Sequence, residues 1–415
     1  MKPSVIRFNR CCLFIVLSLV LISIPLALSG CGGSSSGTGG DAVINTYKAG
    51  IFPFGDAIDS HGNVWVANQG DAIPGPGIAN SNVMELNSSG AVVNSCVAGS
   101  VPIGIAIDKS GNVWVENYGT TGKPGKGLMD SNVTELSPSC AKIGTYVAGT
   151  YPAGGIAIDK SGNVWVTNWG AASGTAGTPG LANGDSNVTE LGPSGAVIGT
   201  YVAGSSPGGI AIDKSGNVWV ANKGNGIPGI ANILDSSVTE LSPSGAIINS
   251  CVAGSHPEGL AIDPAGNVWV VNKGIDNGTP GIPGIANGDS SVTELSSKCT
   301  VIGTYVAGSL PETVAVDSAG NVWVANGYNR GTGTSLANSS VTELGPTGAV
   351  IHTYAAIGYQ PYSLAIDPAG NVWVTNYGDG TPGIANVDSN VQEYMGAAKG
   401  PQYFPYSGPQ WPGAE

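Results

Sequence analysis

The sequence predicts an all-β chain, a seven-bladed β-propeller of four-stranded blades in which an N-terminal strand closes the last blade. Three observations carry this expectation: a composition suited to tight turns, a segment repeated seven times, and two chain ends that each hold part of one repeat. Gly 66 and Pro 27 among 415 residues, with only 10% charged side chains, suit a turn-rich β protein or a low-complexity polymer. A hydrophobic fraction of 41% excludes the polymer, because disordered chains lack that much surface to bury.

The repeated segment is G-N-V-W-V-x-N, with its indole at Trp65, Trp114, Trp165, Trp219, Trp269, Trp323 and Trp373, at intervals of 49 to 54 residues. One full unit, residues 205–254, divides into four strand-like pieces: GIAID, NVWVAN, SVTEL and AIINSCVAG. D-K-S-G joins the first two as a tight hairpin, with Asp opening the turn and Gly free to take positive φ. A long Gly/Pro/Asn loop joins the second and third, and S-P-S-G the third and fourth. The V-W-V triplet puts large side chains on both faces of its strand, so blades must stack on both sides of it. Four-stranded units of this length, seven in number, make a propeller. A straight solenoid would need capping repeats, and the sequence has none.

The ends predict ring closure. Residues 42–50, AVINTYKAG, match the fourth strand of a unit (compare AVIGTYVAG, 196–204) but have no first three strands ahead of them. The seventh unit reaches SNVQEY, 389–394, and lacks a fourth strand. The first segment therefore completes the last blade. The propeller spans 42–394, and 395–415 is a Pro/Gly-rich C-terminal tail.

Ahead of the propeller, residues 1–10 carry Lys2, Arg7 and Arg10 and no acid, and 11–29 form an uncharged apolar run. Alone, that run is long enough for a membrane-spanning signal anchor. Leu28-Ser29-Gly30-Cys31, followed by GGSSSGTGGD, resembles the lipobox of bacterial lipoproteins. The resemblance implies a signal peptide over 1–30, acylation of Cys31, and a flexible tether over 31–41. It implies export and a lipid anchor in the cell envelope; Gly32 after the cysteine favours the outer membrane of a Gram-negative cell. The formal net charge of −13 becomes about −16 once Lys2, Arg7 and Arg10 are removed. Such a surface repels phosphate backbones and excludes nucleic acid as a partner.

The pattern P-x-G-I-A-I-D-x-x-G-N-V-W-V-x-N resembles NHL-type propeller repeats, including the streptogramin (virginiamycin B) lyase branch, over roughly residues 42–394. The tail GAAKGPQYFPYSGPQWPG resembles the terminus of bacterial NHL-like proteins. In the lyases a catalytic His follows the Pro that enters the innermost strand, and a Glu ends the second strand. The matching positions here hold Phe54, Ile103, Ala153, Gly208, Glu258, Glu312 and Tyr362, and a ring of Asn residues, so no blade keeps a His–Glu pair. His256 lies near the mouth but two residues off register. Lyase activity is therefore disfavoured, and no residue is assigned a catalytic role.

Four cysteines remain in the propeller, and they allow three connectivities. Cys96 and Cys251 stand in fourth strands where other units have Tyr; Cys140 and Cys299 stand at the Gly of the S-P-S-G turn in the next unit. This register favours Cys96–Cys140 and Cys251–Cys299, disulfides that an exported protein would keep. Four unpaired small core residues are the alternative.

The channel mouth is the place to look for chemistry. Glu258 and Glu312 occupy equivalent positions in adjacent blades, next to Tyr362, with Asn272 and Asn326 at the ends of their second strands. Together these oxygens could suit Ca²⁺, although solvated loop carboxylates are the simpler reading and no metal or cofactor is assigned. Asp56 is a further deviation, replacing the aliphatic residue found in every other unit (Ile105, Ile156, Ile210, Leu260, Val314, Leu364), and is expected at a wet channel wall. The Asp series from Asp59 to Asp367 belongs to the hairpin turns, and the Asn ring to strand ends. The long loops repeat P-G-[IL]-A-N, placing Ile78, Leu181, Ile230, Ile285 and Ile384 on one rim, with Leu128 and Leu336 in degenerate copies; each is expected to dock onto its own blade, and exposed tips would instead form a partner-binding platform.

These features favour binding over catalysis: a monomeric envelope lipoprotein whose propeller scaffolds a protein or glycan at the loop rim, touching the membrane only through its anchor. The alternative is a metal-dependent hydrolase or lactonase using Glu258 and Glu312.

Overall fold

The computed structural model describes residues 44–70, 81–119, 131–170, 186–224, 236–274, 290–327, 339–355, 358, 360–378 and 389–402. The leader with Cys31, the tether, and the long loops carrying Ile78, Leu128, Leu181, Ile230, Ile285, Leu336 and Ile384 lie outside them.

Seven four-stranded antiparallel sheets account for all 28 strands, and the described residues contain no helix. The first blade is typical. It runs through Pro53–Ile58, Val64–Asn68, Asn82–Leu86 and Val92–Cys96, each strand pairing with the next. In the seventh, Pro361–Ile366, Val372–Asn376 and Asn390–Tyr394 are joined by Ile44–Tyr47 as the outermost strand. Ile44 pairs with Tyr394 and Tyr47 with Val391, so the ends of the chain close the ring as the incomplete repeats require.

The V-W-V-x-N strand is buried at every position in all seven blades. Its Trp faces the next blade: Trp65 packs with Ile105, Ile107, Val113 and Val115 of the second. Seven such indoles, each removed from water, contribute on the order of 3 kcal/mol apiece. Six of them donate Nε1–H to the hairpin aspartate of their own blade, at 3.1–3.4 Å. The same aspartate accepts the amides two and four residues on, as Asp108 does from Ser110 and Asn112. The Asp series is thus a turn device that also orients the core Trp. In the sixth blade Asp317 instead accepts the amide of Lys399, because residues 395–402 lie over the sixth and seventh blades.

The disulfides are Cys96–Cys140 and Cys251–Cys299, with Cα–Cα separations of 5.4 and 5.7 Å. Each ties an outermost strand to the next blade's turn, as the repeat register predicts.

Candidate ligand-binding site at the channel mouth

Every innermost strand is entered through a non-glycine residue with left-handed backbone, φ between 48° and 55°, placed directly before its proline: Phe52, Val101, Tyr151, Ser206, His256, Leu310 and Gln360. The carbonyl of each accepts the amide of the residue after the Asn of the second strand. These bonds lace the two inner strands together at one end of the channel. They also hold a ring of side chains at the mouth: Gln69, Tyr118, Trp169, Lys223, Lys273 and Tyr377, with Gly327 completing it.

A cavity of about 420 Å³ opens there, lined by innermost-strand residues from every blade. One side is aromatic and aliphatic, with Phe54, Ile103, Tyr118, Trp169 and Tyr362. The Phe54 and Tyr362 rings lie 4.1 Å apart, and Tyr377 meets both at 5.7–6.1 Å. The other side carries charge. Lys223 bonds the Glu258 carboxylate, and its ammonium sits 4.6 Å from the centroid of the Trp169 ring. Lys273 reaches Glu312 at 2.7 Å. Each pair joins one blade's second strand to the next blade's innermost strand.

Glu258, Glu312, Tyr362 and Asp56 therefore meet at one cavity, as their repeat positions suggest, but the two glutamates are occupied by lysines. Burial opposes ionisation of Glu258, yet Lys223, Lys273 and His256 outweigh it and hold its carboxyl below the usual range. Burial raises Glu312; Lys273 offsets part of this and the charge of Glu258 adds to it. Partial burial lowers the pKa of His256, with Glu258 opposing this and Lys223 and Lys273 adding to it.

Asn272 and Asn326 stand elsewhere, and here the expectation of an oxygen-rich group is corrected. Both are wholly buried, with Nδ2 directed outward: Asn272 donates to Ala253 O, Ser291 Oγ and Thr293 Oγ1 at 3.1–3.2 Å. Asn326 repeats this with Ala307, Ser340 and Thr342. The strand pleat sends these amides into the blade, where they tie the second strand to the third. Among the described residues, no group of three or more His, Cys, Asp or Glu side chains is arranged to hold a metal ion.

Asp56 sits at the channel wall as its register predicts, but not in water. Both carboxylate oxygens are buried and neither has a hydrogen-bond partner, although the rest of the residue keeps some exposure. Burial pushes its pKa up to about 7, with the nearby Ser363 hydroxyl offsetting only part of the effect.

Two features escape a reading of the repeats. The lysines lie in the variable position after the Asn ring, which mixes Gln, Tyr, Trp, Lys and Gly and looks like ordinary surface drift. Glu116 replaces the Ala, Thr or Val of the V-W-V-x-N strand, is wholly buried, and has neither oxygen bonded. At the same position Thr167 and Thr375 donate to the next blade's carbonyls at Gly208 and Phe54, both at 2.9 Å. Glu116 fills the space that a side chain on Gly104 would need, close to the Gly154 carbonyl. Burial holds it well above the ordinary carboxylate range, the Gly154 backbone only partly offsetting this.

No family model and no curated protein matches the sequence. Solved structures do match in fold. A catalytically inactive virginiamycin B lyase from Staphylococcus aureus, with quinupristin, superposes with a TM-score of 0.58 at 14% identity, covering 85% of this chain and 99% of that one. The U3-55K structure gives 0.60 at 10% identity over 86% and 100%. The WD40 propeller domain of Doa1 gives 0.58 at 10% identity over 85% and 96%. At such identities these similarities establish the seven-bladed propeller and nothing about its ligand.

Proposed function

We propose that this chain is a binding module of the cell envelope, anchored through lipid on Cys31, which recognises a protein or glycan partner at the mouth of its propeller. One observation carries the reading: the mouth cavity, aromatic on one side, has its opposing lysine and glutamate charges already neutralised in pairs. Aromatic faces with a few oriented polar groups suit recognition. Nucleophilic or acid–base catalysis asks for a group left available to the substrate.

The lipobox-like Leu28–Cys31 segment supports export, and the fold shared with WD40 domains is compatible with a scaffolding role. Lyase chemistry is not proposed, since the lyase His and Glu positions hold no such pair in any blade.

The test is binding of envelope oligosaccharides and peptides, read by calorimetry on the full chain and on a Trp169→Ala/Tyr362→Ala variant. Saturable binding that the variant loses by at least tenfold supports the mouth as the recognition site. Binding unchanged in the variant would overturn it. Palmitate labelling abolished by Cys31→Ser tests the anchor.

A second reading has one observation in its favour. The environments of Glu258 and Glu312 push their proton affinities in opposite directions, as an acid–base couple requires. Turnover of lactones or esters that Glu312→Gln abolishes would place a hydrolase ahead of a binding module.

A further inference from the structure

Asp56 is an acid in the cavity wall with no charged partner. Six blades put Ile, Leu or Val at this position, and the first blade alone puts an acid there. Both oxygens are buried with no charged partner, the Ser363 hydroxyl being the polar side chain nearby, whereas buried carboxylates in folded proteins are almost always paired. No lysine of the mouth is paired with it: Lys223 and Lys273 are bonded to Glu258 and Glu312. Two residues upstream on the same strand, Phe54 presents its ring to the cavity against Tyr362 at 4.1 Å. A carboxylate beside aromatic faces is a set of groups that recognises an organic cation, the acid supplying charge and the rings supplying cation–π attraction. The field of a chain with net charge −13 draws cations toward it.

From these contacts we propose that the mouth cavity binds a primary alkylammonium group, with Asp56 as its counter-ion and Phe54 and Tyr362 against its alkyl stem. This deepens the binding reading above and rests on it. The ammonium supplies the charged partner that Asp56 lacks. A cavity of about 420 Å³ accommodates a chain of lysine length. The group could come from a lysine side chain of a partner protein or from a free amine, and the chemistry at Asp56 is the same.

The experiment titrates n-hexylammonium, hexan-1-ol and the blocked peptide acetyl-Gly-Gly-Lys-Gly-Gly-amide into the full chain by calorimetry. Wild type is expected to bind hexylammonium at one site, at least tenfold more tightly than hexanol. Asp56→Asn should lose at least tenfold for the ammonium and nothing for the alcohol. Asp56→Ile, which restores the residue type of the other blades, should match Asp56→Asn and guards against a folding artefact. Tyr362→Ala should weaken both probes. Peptide binding alongside hexylammonium assigns the cation to a partner's lysine; hexylammonium binding without the peptide assigns it to a free amine.

Equal affinity for ammonium and alcohol, or an unchanged Asp56→Asn, overturns the proposal. The mouth then survives as a binding site if Tyr362→Ala still weakens the alcohol. Failure of every probe to bind also overturns the ammonium assignment, leaving the mouth to be judged on the saccharide and peptide titrations alone.

Discussion

The ring of Tyr146, from the outermost strand of the second blade, occupies the space that a β-carbon on Gly195 of the third blade would need. The same ring stacks on Trp114 at 5.5 Å and donates its hydroxyl to Glu135 at 2.8 Å. Tyr47 and Gly90, Tyr201 and Gly245, and Tyr305 and Gly348 repeat the contact. Where a Cys replaces the Tyr, a Cys also replaces the next blade's Gly, and a disulfide takes over. Cys140 and Cys299 keep the left-handed backbone of the glycine they replace, φ 67° and 64°. Six of the seven junctions between neighbouring blades are thus joined at the rim by one of two devices, while at the sixth Tyr354 meets Tyr394 edge-on at 5.4 Å.

Gly195→Ala should destabilise the fold by about 3 kcal/mol or more, combining left-handed strain with the collision against Tyr146. Gly266→Ala is the comparison. Its φ is 90°, but no atom lies within 4 Å of the added carbon, so only the backbone strain of about 1–2 kcal/mol remains. Urea unfolding of both variants reads the difference. Equal losses would show that the Tyr146 contact contributes nothing.

Cys96→Ala should lower stability by about 3 kcal/mol, the disulfide closing a loop across a sequence separation of 44. Asn94→Gly/Cys96→Tyr/Cys140→Gly converts this junction to the Tyr–Gly kind. It should recover most of that loss and make melting at this junction independent of reductant. A triple variant no more stable than Cys96→Ala would refute the equivalence of the two devices.

Stability should fall as pH rises from about 4 to about 7. Asp56 is neutral in both states below its unfolded value of 3.8; above that the unfolded chain releases the proton first, and the folded state keeps it until about 7. The penalty at neutral pH is on the order of 4 kcal/mol. Glu116, raised by burial, and Glu343, raised to about 7 by burial and by Asp317, act in the same direction. Asp56→Asn should flatten the profile over this window and raise the melting temperature at pH 7.5. A profile identical to wild type would contradict the dry environment of this carboxyl.

Ca²⁺ should give no saturable heat with wild type below millimolar concentration, because a cation must displace Lys223 and Lys273 from the two glutamates. Lys223→Met/Lys273→Met should instead destabilise by about 3–5 kcal/mol, leaving buried carboxylates without partners. Tight one-site binding to wild type, lost in Glu258→Gln/Glu312→Gln, would favour the metal-dependent reading.

Much of the molecule was legible in its residues because the repeat is written seven times. The hairpin Asp and Gly, the buried Trp and the split last blade each follow from local chemistry: a turn that needs positive φ, an indole too large to leave exposed, a strand needing an edge to pair with. Even the disulfide partners could be read, since equivalent positions in consecutive units fall side by side. The register also placed Asp56, Glu258, Glu312 and Tyr362 at the mouth.

What the register does not contain is the direction of a side chain and the neighbour it meets. Lys223 and Glu258 are 35 residues apart, Lys273 and Glu312 are 39 apart, and each pair exists only because adjacent blades stack. The outward turn of Asn272 and Asn326, the dryness of Asp56 and the burial of Glu116 likewise depend on packing between strands. Sequence alone determined the ring, its closure and its rim staples, since these follow from strand period and turn chemistry. The tertiary structure decided which charges at the mouth are neutralised and which is left unpaired, because that depends on distances between blades.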